Sequence, residues 1–457
     1  MDWRGKRVVI VGLARQGKAL ARHFAAAGAR VVVSDVRPAL ELAPAMDELE
    51  GLPVAYVLGE HPLSLLEETD LLCLSGGVPA DLPLAQQARE LGIAVTNDSQ
   101  LLLEDCPAPV VGITGSAGKS TTTALLGAMA EADQRSGGPR AWVGGNIGQP
   151  LLLDLPDIGP DDRVVIELSS FQLEIMTISP AVAVILNITP NHLDRHRTMG
   201  AYKSAKSRIL AFQSASDTAV LGWEDDGAWN LRYSVHGRLV GFGRKPRPPV
   251  PGAFLEQGRI IVDVSGRPEP VCRVEDVPLR GEHNLLNVLA ACAAGAAAGL
   301  ENGAMEEGIR AYRGLPHRLE FVRQVRGADW YDDSIATAPE RSLAALRSFT
   351  GPIVLLAGGR DKDLPWGEFA EVVRTRVDHL VLFGEAAPKI QAALHQAKGD
   401  RPRSIDVVPD LDSAVQAAAR RAEPGDVVLL SPGGTSYDAF ADFAARGDRF
   451  RQLVEAL

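Results

Sequence analysis

The chain has 457 residues, of which 46% are hydrophobic and 23% charged, with a formal net charge of −11. That length suits roughly three domains with full cores, and the balance is that of a globular protein rather than a fibrous or disordered one. The negative charge excludes a general nucleic-acid-binding surface.

The first hundred residues alternate strand and helix. Short apolar runs at Val8–Val11, Val31–Ser34, Val54–Val57 and Asp70–Leu74 read as buried strands, and Gly17–Ala27 and Pro83–Leu91 as helices. That order predicts a parallel sheet with helices on its faces. The first strand enters Gly12-Leu13-Ala14-Arg15-Gln16-Gly17, one glycine short of a dinucleotide fingerprint, and Asp35 ends the second strand. Together they resemble a dinucleotide-binding fingerprint; the plain alternative is a tight turn beside a solvated aspartate.

A second unit opens near Pro107–Pro109. The apolar run Val110–Ile113 feeds Gly112-Ile113-Thr114-Gly115-Ser116-Ala117-Gly118-Lys119-Ser120-Thr121, and a helix is predicted over Thr121–Glu131. Strand, glycine turn and helix N-terminus form an anion trap, in which lysine adds a cation and Ser120 a hydroxyl for magnesium. Ile113 stands where the strict G-x-x-x-x-G-K-[ST] pattern has its first glycine. Two further strands, Val164–Leu168 and Val182–Asn187, each lead into a polar patch. Glu167, at a strand end beside the phosphate loop, suits magnesium. In Asn191-His192-Leu193-Asp194-Arg195-His196, His192 reads as functional and His196 as a structural donor. Lys203 and Lys206 lie on a helix over Tyr202–Phe212, where lysines on their own read as solvated. Ala219–Asp276 reads as peripheral β structure with little chemistry, and helices at Asn284–Gly299 and Met305–Tyr312 close the unit. Asn284 and Asn287 share a helix face, where amides can read a purine edge or a ribose; simple N-capping by Asn284 is the alternative. The alanine-rich run Leu285–Leu300 is too short to span a bilayer and reads as a buried helix, so no membrane insertion is expected.

A third unit follows Gly314-Leu315-Pro316-His317-Arg318. Strands at Pro352–Ala357, His379–Phe383, Ile405–Val408 and Asp426–Leu430 alternate with helical segments. Polar loops fall at strand ends: Asp332-Asp333-Ser334, Gly358–Lys362 and Ser431–Phe440. That is the binding edge of an open α/β sheet. Four spaced cysteines (Cys73, Cys106, Cys272, Cys292) have no metal-ligand spacing and fit inert thiols of a reducing compartment, and no apolar leader precedes the first strand, so a cytoplasmic location is expected.

The motifs GITGSAGKST, ELSSFQLE, NITPNHLDRH, YKSAK, GEHNLLN, LPHRLE, DDS, GGRDKD and LSPGGTSYDAF, in this order and spacing, resemble the Mur ligase family across essentially the whole chain, and within it the MurD type. The resemblance implies an α/β fold of three domains: a Rossmann-like UDP-binding domain over 1–106, a central P-loop ATPase-type domain over 107–313, and a Rossmann-like glutamate-binding domain over 314–457. It implies an ATP-dependent ligase that adds D-glutamate to UDP-N-acetylmuramoyl-L-alanine through an acyl phosphate, forming ADP and phosphate, in cytoplasmic peptidoglycan precursor synthesis. The L-glutamate-adding variant is the alternative. The implied cofactors are ATP, two magnesium ions and a CO2-derived carbamate on Lys206; the partners are small-molecule substrates, and the chain is expected to act as a monomer.

Carried over by motif, Lys119, His192 and carbamylated Lys206 are catalytic. Gly115, Gly118, Lys119, Ser120, Thr121, Asn284, Asn287, His317, Arg318 and Asp333 contact ATP. Ser120, Glu167, His192 and Lys206 hold metal. Asp35, Arg37, Ser75 and Asn146 bind the UDP substrate, and Thr337, Lys362 and Ser436 bind glutamate. The chain departs from the family pattern at Ser116-Ala117 for Thr-Asn, at Ile335 for Lys, and at Gly433-Gly434 for Ala-Cys, a pair expected to loosen the final loop. Two readings from other classes are a nicotinamide-dependent oxidoreductase, from the first glycine turn, and a non-catalytic nucleotide-regulated protein.

Overall fold

A computed structural model describes residues 2–191, 193–246, 249–264 and 266–457. The chain divides into two compact units, Met1–Pro278 with Glu282–Tyr312, and Leu279–Gly281 with Arg313–Leu457.

The first unit carries two sheets. One is wholly parallel, in the order β3-β2-β1-β4-β5, built from β1 (Arg7–Val11), β2 (Arg30–Asp35), β3 (Val54–Leu58), β4 (Leu71–Leu74) and β5 (Ala94–Thr96). Its central strands are apolar on both faces because helices cover both, and Val8, Ile10, Leu20 and Phe24 pack in one of its cores. The chain runs from β1 to β2 on one side and reaches β4 on the other. Asp35 and Ser75 therefore flank the end of β1, the switch point where ligands enter such sheets.

The second sheet comprises β6 (Val110–Thr114), β7 (Ala141–Gly145), β8 (Arg163–Glu167), β9 (Val182–Ile185), β10 (Thr218–Gly222), β11 (Arg238–Phe242), β12 (Gly252–Glu256), β13 (Arg259–Asp263) and β14 (Glu269–Arg273). Its order is β14-β13-β12-β11-β10-β9-β6-β8-β7. Residues 219–276 are thus not merely peripheral. β10 and β11 continue the parallel sheet beside β9, and only β12–β14 form an antiparallel edge. The switch point falls at β6, between β8 and β9. The helix after β6 spans Lys119–Arg135, two residues earlier at its start than expected, because Gly118 is its N-cap. The predicted Asn284–Gly299 helix is Glu282–Ala297, with Val288–Gly295 buried. Among the described residues, no helix is long and apolar enough to cross a membrane.

The second unit holds a sheet ordered β15-β16-β20-β17-β18-β19, from β15 (Glu320–Val325), β16 (Ala328–Asp332), β17 (Ile353–Gly358), β18 (His379–Phe383), β19 (Ser404–Val408) and β20 (Val427–Gly433). β15 is antiparallel to β16 and the rest are parallel. The loops after β16, β17 and β20 leave neighbouring strands at one edge, which brings the three polar motifs of this unit together.

Candidate active site

The phosphate loop follows β6 and is braced from below. Gly118 has φ +85°, and a Cβ there would collide with the Asn287 side-chain oxygen. The loop's other supports come from the segment after β9. Ser116 N–H donates to Asn187 O at 2.9 Å, and the Asn187 amide both accepts from Ala117 N–H at 2.9 Å and donates to Ala117 O at 3.1 Å. The Tyr202 hydroxyl donates to Ser116 Oγ at 2.9 Å. Asn187 and Tyr202 stood in the sequence motifs without a role. Their contribution is to hold the loop amides in place.

Lys119 opens the helix, and its Nζ donates to Gly115 O at 3.0 Å. Lys206 is only 1% exposed, so the solvated reading is wrong. Its Nζ donates to Gly115 O at 2.9 Å and to Thr114 Oγ1 at 3.3 Å. Burial, and then the nearby Lys119 cation, push its amine well below the usual lysine range. Glu167 ends β8 in register with Ile113 of β6, which sets its carboxylate beside the loop. Asn146 Nδ2 donates to Glu167 Oε1 at 2.7 Å, whereas the equally buried Oε2 has no partner among the described residues. Asn146 thus orients this carboxylate, a role the sequence did not suggest. His192 lies outside the described residues. His196 is structural as expected: buried, hydrogen-bonded to Ser170 Oγ at 3.0 Å and stacked on Phe171. Asn284 is the third residue of its helix rather than a cap, and its Oδ1 accepts from Asn287 Nδ2 at 3.1 Å.

At the first sheet, Asp35 is buried. Burial alone would raise its carboxyl, but hydrogen bonds from Arg37 and from Leu13 N–H outweigh this and hold it at about 2. Arg37 keeps part of its guanidinium exposed. The turn Ser75-Gly76-Gly77 is held by side chains not singled out from sequence. Gln16 Oε1 accepts from Gly76 N–H at 2.7 Å, and Arg195 donates to Gly77 O and Val78 O at 3.2 and 2.7 Å. Arg15 likewise donates to Asn146 O at 2.8 Å.

In the second unit, His317 Nδ1 meets Asp332 Oδ2 at 2.7 Å, and this bond raises the imidazole above its ordinary value despite burial. Asp333 is fully buried. Burial pushes its carboxyl to about 7, against the pull of hydrogen bonds from Ser431 Oγ and Leu319 N–H. The loop after β17 and the loop after β20 are joined by an antiparallel bridge in which Arg360 and Thr435 exchange two backbone hydrogen bonds of 2.8 Å. The bridge places Lys362 and Ser436 on one stapled pair of loops. Gly433 and Gly434 do not loosen them: a Cβ would lie 2.8 Å from the Trp366 ring at Gly433 and 2.5 Å from Gly358 O at Gly434. Glycine is there because nothing larger fits. Arg446, 1% exposed, donates to Ser334 O, Gly434 O and Thr435 O at 2.8, 3.1 and 3.1 Å and ties the loop after β16 to the same pair.

Residues 6–97 match the Mur ligase MurD-like N-terminal domain, 113–295 the Mur ligase middle domain, and 317–434 the Mur ligase glutamate ligase domain. The chain belongs to the Mur ligase family. It is 41% identical to the UDP-N-acetylmuramoylalanine--D-glutamate ligase of Symbiobacterium thermophilum, over 99% of this chain and 98% of that one. It is 39% identical to the protein of that name from Pelotomaculum thermopropionicum, over 100% and 99%. Among solved structures it resembles the UDP-N-acetylmuramate-alanine ligase MurC of Thermotoga maritima, with a TM-score of 0.60 and 19% identity over 98% of this chain and 99% of that one. A pseudomurein peptide ligase type C from Methanothermus fervidus follows at 0.56 and 18%, over 99% and 100%. These structures share the fold.

Mur ligases form amide bonds and use ATP and Mg2+. The residues of this Mur ligase fit both. The loop supplies backbone donors at a helix N-terminus and a lysine. The unpartnered, buried Oε2 of Glu167 is the hard, anionic oxygen that magnesium selects, and the Ser120 hydroxyl stands at the second position of the adjoining helix.

Proposed function

We propose that this enzyme joins D-glutamate to UDP-N-acetylmuramoyl-L-alanine with cleavage of ATP to ADP and phosphate. The observation that carries the reading is full-length identity of 36–41% to ligases named for that reaction. The residues suit it. Asp35, Arg37, Ser75 and Asn146 receive the UDP substrate. Gly115, Gly118, Lys119, Ser120 and Thr121 receive the ATP phosphates, Asn284 and Asn287 the nucleoside, and His317, Arg318 and Asp333 are the second unit's groups for ATP. Thr337, Lys362 and Ser436 take glutamate. The chain divides functionally at 1–106, 107–313 and 314–457.

The substrate's alanyl carboxylate attacks the γ-phosphorus and ADP leaves. Lys119 and the loop amides lie where charge spreads over the transferred phosphoryl group. The glutamate amine then attacks the acyl phosphate, and phosphate leaves from the tetrahedral intermediate. Ser120 and Glu167 would hold magnesium, which would supply positive charge against the phosphates. Lys206 is buried beside Lys119, which favours its uncharged amine, the form that adds to CO2. Addition of the amine to CO2 with loss of one proton would give an anionic carbamate, which with His192 would offer oxygen and nitrogen ligands to a second magnesium. The reaction belongs in the cytoplasm, where UDP-linked precursors and ATP are found, and one chain carries every group it needs, so it acts as a monomer.

The test is ADP release with UDP-N-acetylmuramoyl-L-alanine against a panel of D- and L-amino acids. D-glutamate should support turnover well above all others. Background release with every amino acid, or preference for L-glutamate, overturns the reading. Hydroxylamine should trap the acyl phosphate as a hydroxamate.

A further inference from the structure

The turn after β4 is held on both sides by side chains, and its middle is left open. Val78 N–H closes the turn onto Ser75 O at 2.8 Å. Gln16 Oε1 takes the N–H of Gly76 at 2.7 Å, and Arg195 Nη1 and Nη2 take the carbonyls of Gly77 and Val78 at 3.2 and 2.7 Å. Between these ties the N–H of Gly77, an exposed residue, has no acceptor among the described residues. A Cβ at Gly77 would meet nothing within 4 Å, so open space lies beside that donor. The turn packs on the loop that enters the helix Arg15–Ala26: a Cβ at Gly12 would come 3.0 Å from Ser75 Cβ and 2.9 Å from Val78 Cγ2. That helix has no acid in its first turn. Its Arg15 guanidinium bonds only the Asn146 carbonyl among the described residues. A helix N-terminus, an open backbone donor and an unpaired cation at one strand edge suit a phosphate.

We propose that Arg195 is a positioning residue for the diphosphate of the UDP substrate. The inference rests on the reading above that this sheet receives that substrate. Two successive glycines, Gly76 and Gly77, leave the turn's backbone wide conformational freedom. Gln16 fixes the peptide before Gly77 and Arg195 the peptide after it, so the Gly77 donor is set before the ligand arrives, and less ordering is left to oppose binding. Arg195 reaches the turn from the segment after β9, in the other sheet of this unit, and its guanidinium lies 4.9 Å from the centroid of the Phe171 ring. Its planar fork spans two successive carbonyls, which a lysine ammonium cannot match.

The experiment titrates wild type, Arg195→Met and Arg195→Lys calorimetrically with UDP and with a non-hydrolysable ATP analogue, and follows steady-state ADP release with each substrate varied in turn. Arg195→Met should weaken UDP binding about tenfold or more and raise KM for UDP-N-acetylmuramoyl-L-alanine by a similar factor. Affinity for the ATP analogue, kcat, and KM for ATP and D-glutamate should stay within about threefold. Arg195→Lys should recover part of the loss, and it decides alone if Arg195→Met does not fold. UDP affinity unchanged within about twofold, or UDP and the ATP analogue weakened alike, overturns the proposal. A wild type that binds UDP but releases no ADP with D-glutamate sinks the ligase reading and leaves the titrations to judge Arg195. A wild type that does not bind UDP sinks both.

Discussion

The side-chain nitrogens of Lys119 and Lys206 share one acceptor, the carbonyl oxygen of Gly115, at 3.0 and 2.9 Å. Burial and the Lys119 cation hold the Lys206 amine well below the usual lysine range, which leaves Lys119 as the cation of the pair. Lys119 is the member that opens the helix at the phosphate loop, and no other lysine lies in the motif. Lys119→Ala is expected to lower ADP release by about a thousandfold or more, as loss of a phosphoryl-stabilising cation does. A kcat near wild type would remove Lys119 from the phosphoryl site.

Lys206 has a separate signature. Lys206→Ala should cripple turnover, and short carboxylic acids such as acetate should restore part of it by supplying the missing oxygens. Turnover of the unsubstituted enzyme should fall when CO2 is stripped from the buffer. A fully active alanine variant, or indifference to CO2, contradicts the carbamate.

Glu167 can be probed through its ion. Glu167→Gln keeps the size and the Asn146 contact but replaces the anionic oxygen. The magnesium concentration for half-maximal activity should rise by no less than the roughly 10–100-fold that loss of an outer-shell partner brings. An unchanged magnesium dependence would place the ion elsewhere.

Asp333 predicts a pH dependence of stability. Its folded value, about 7, lies above that of an unfolded aspartate, so the folded chain binds the extra proton between the two. Stability from this group is full at low pH and is lost as pH rises through about 7. Asp333→Asn cannot ionise and removes that loss. Urea unfolding at about pH 5 and about pH 8 should show the wild type losing more stability across the interval than the variant. Equal losses would mean that the carboxyl titrates normally.

Most of the fold was legible because parallel central strands are continuous apolar runs, as in Val8–Val11 and His379–Phe383. The strands that escaped notice are edges or nearly so. Ala94–Thr96 is three residues long, Ala141–Gly145 ends in two glycines, and Glu320–Val325 has no buried residue and mixes Phe321, Val322 and Val325 with polar side chains. Propensity speaks weakly at such positions. The phosphate loop and Glu167 were readable because their chemistry is local: a glycine turn, a lysine and an acid at a strand end. Lys206 was not. Its spacing is that of a solvated helix face, and only the tertiary fold buries it. Nor was Asn187, whose amide braces a loop 70 residues earlier.

The bridge between Arg360 and Thr435 leaves the neighbouring Lys362 and Ser436 little freedom to shift independently. On the proposed reading of these two residues, an amino acid of different length would meet both loops at once, and substrate range would change by exchanging side chains on a fixed frame, not by reshaping the frame.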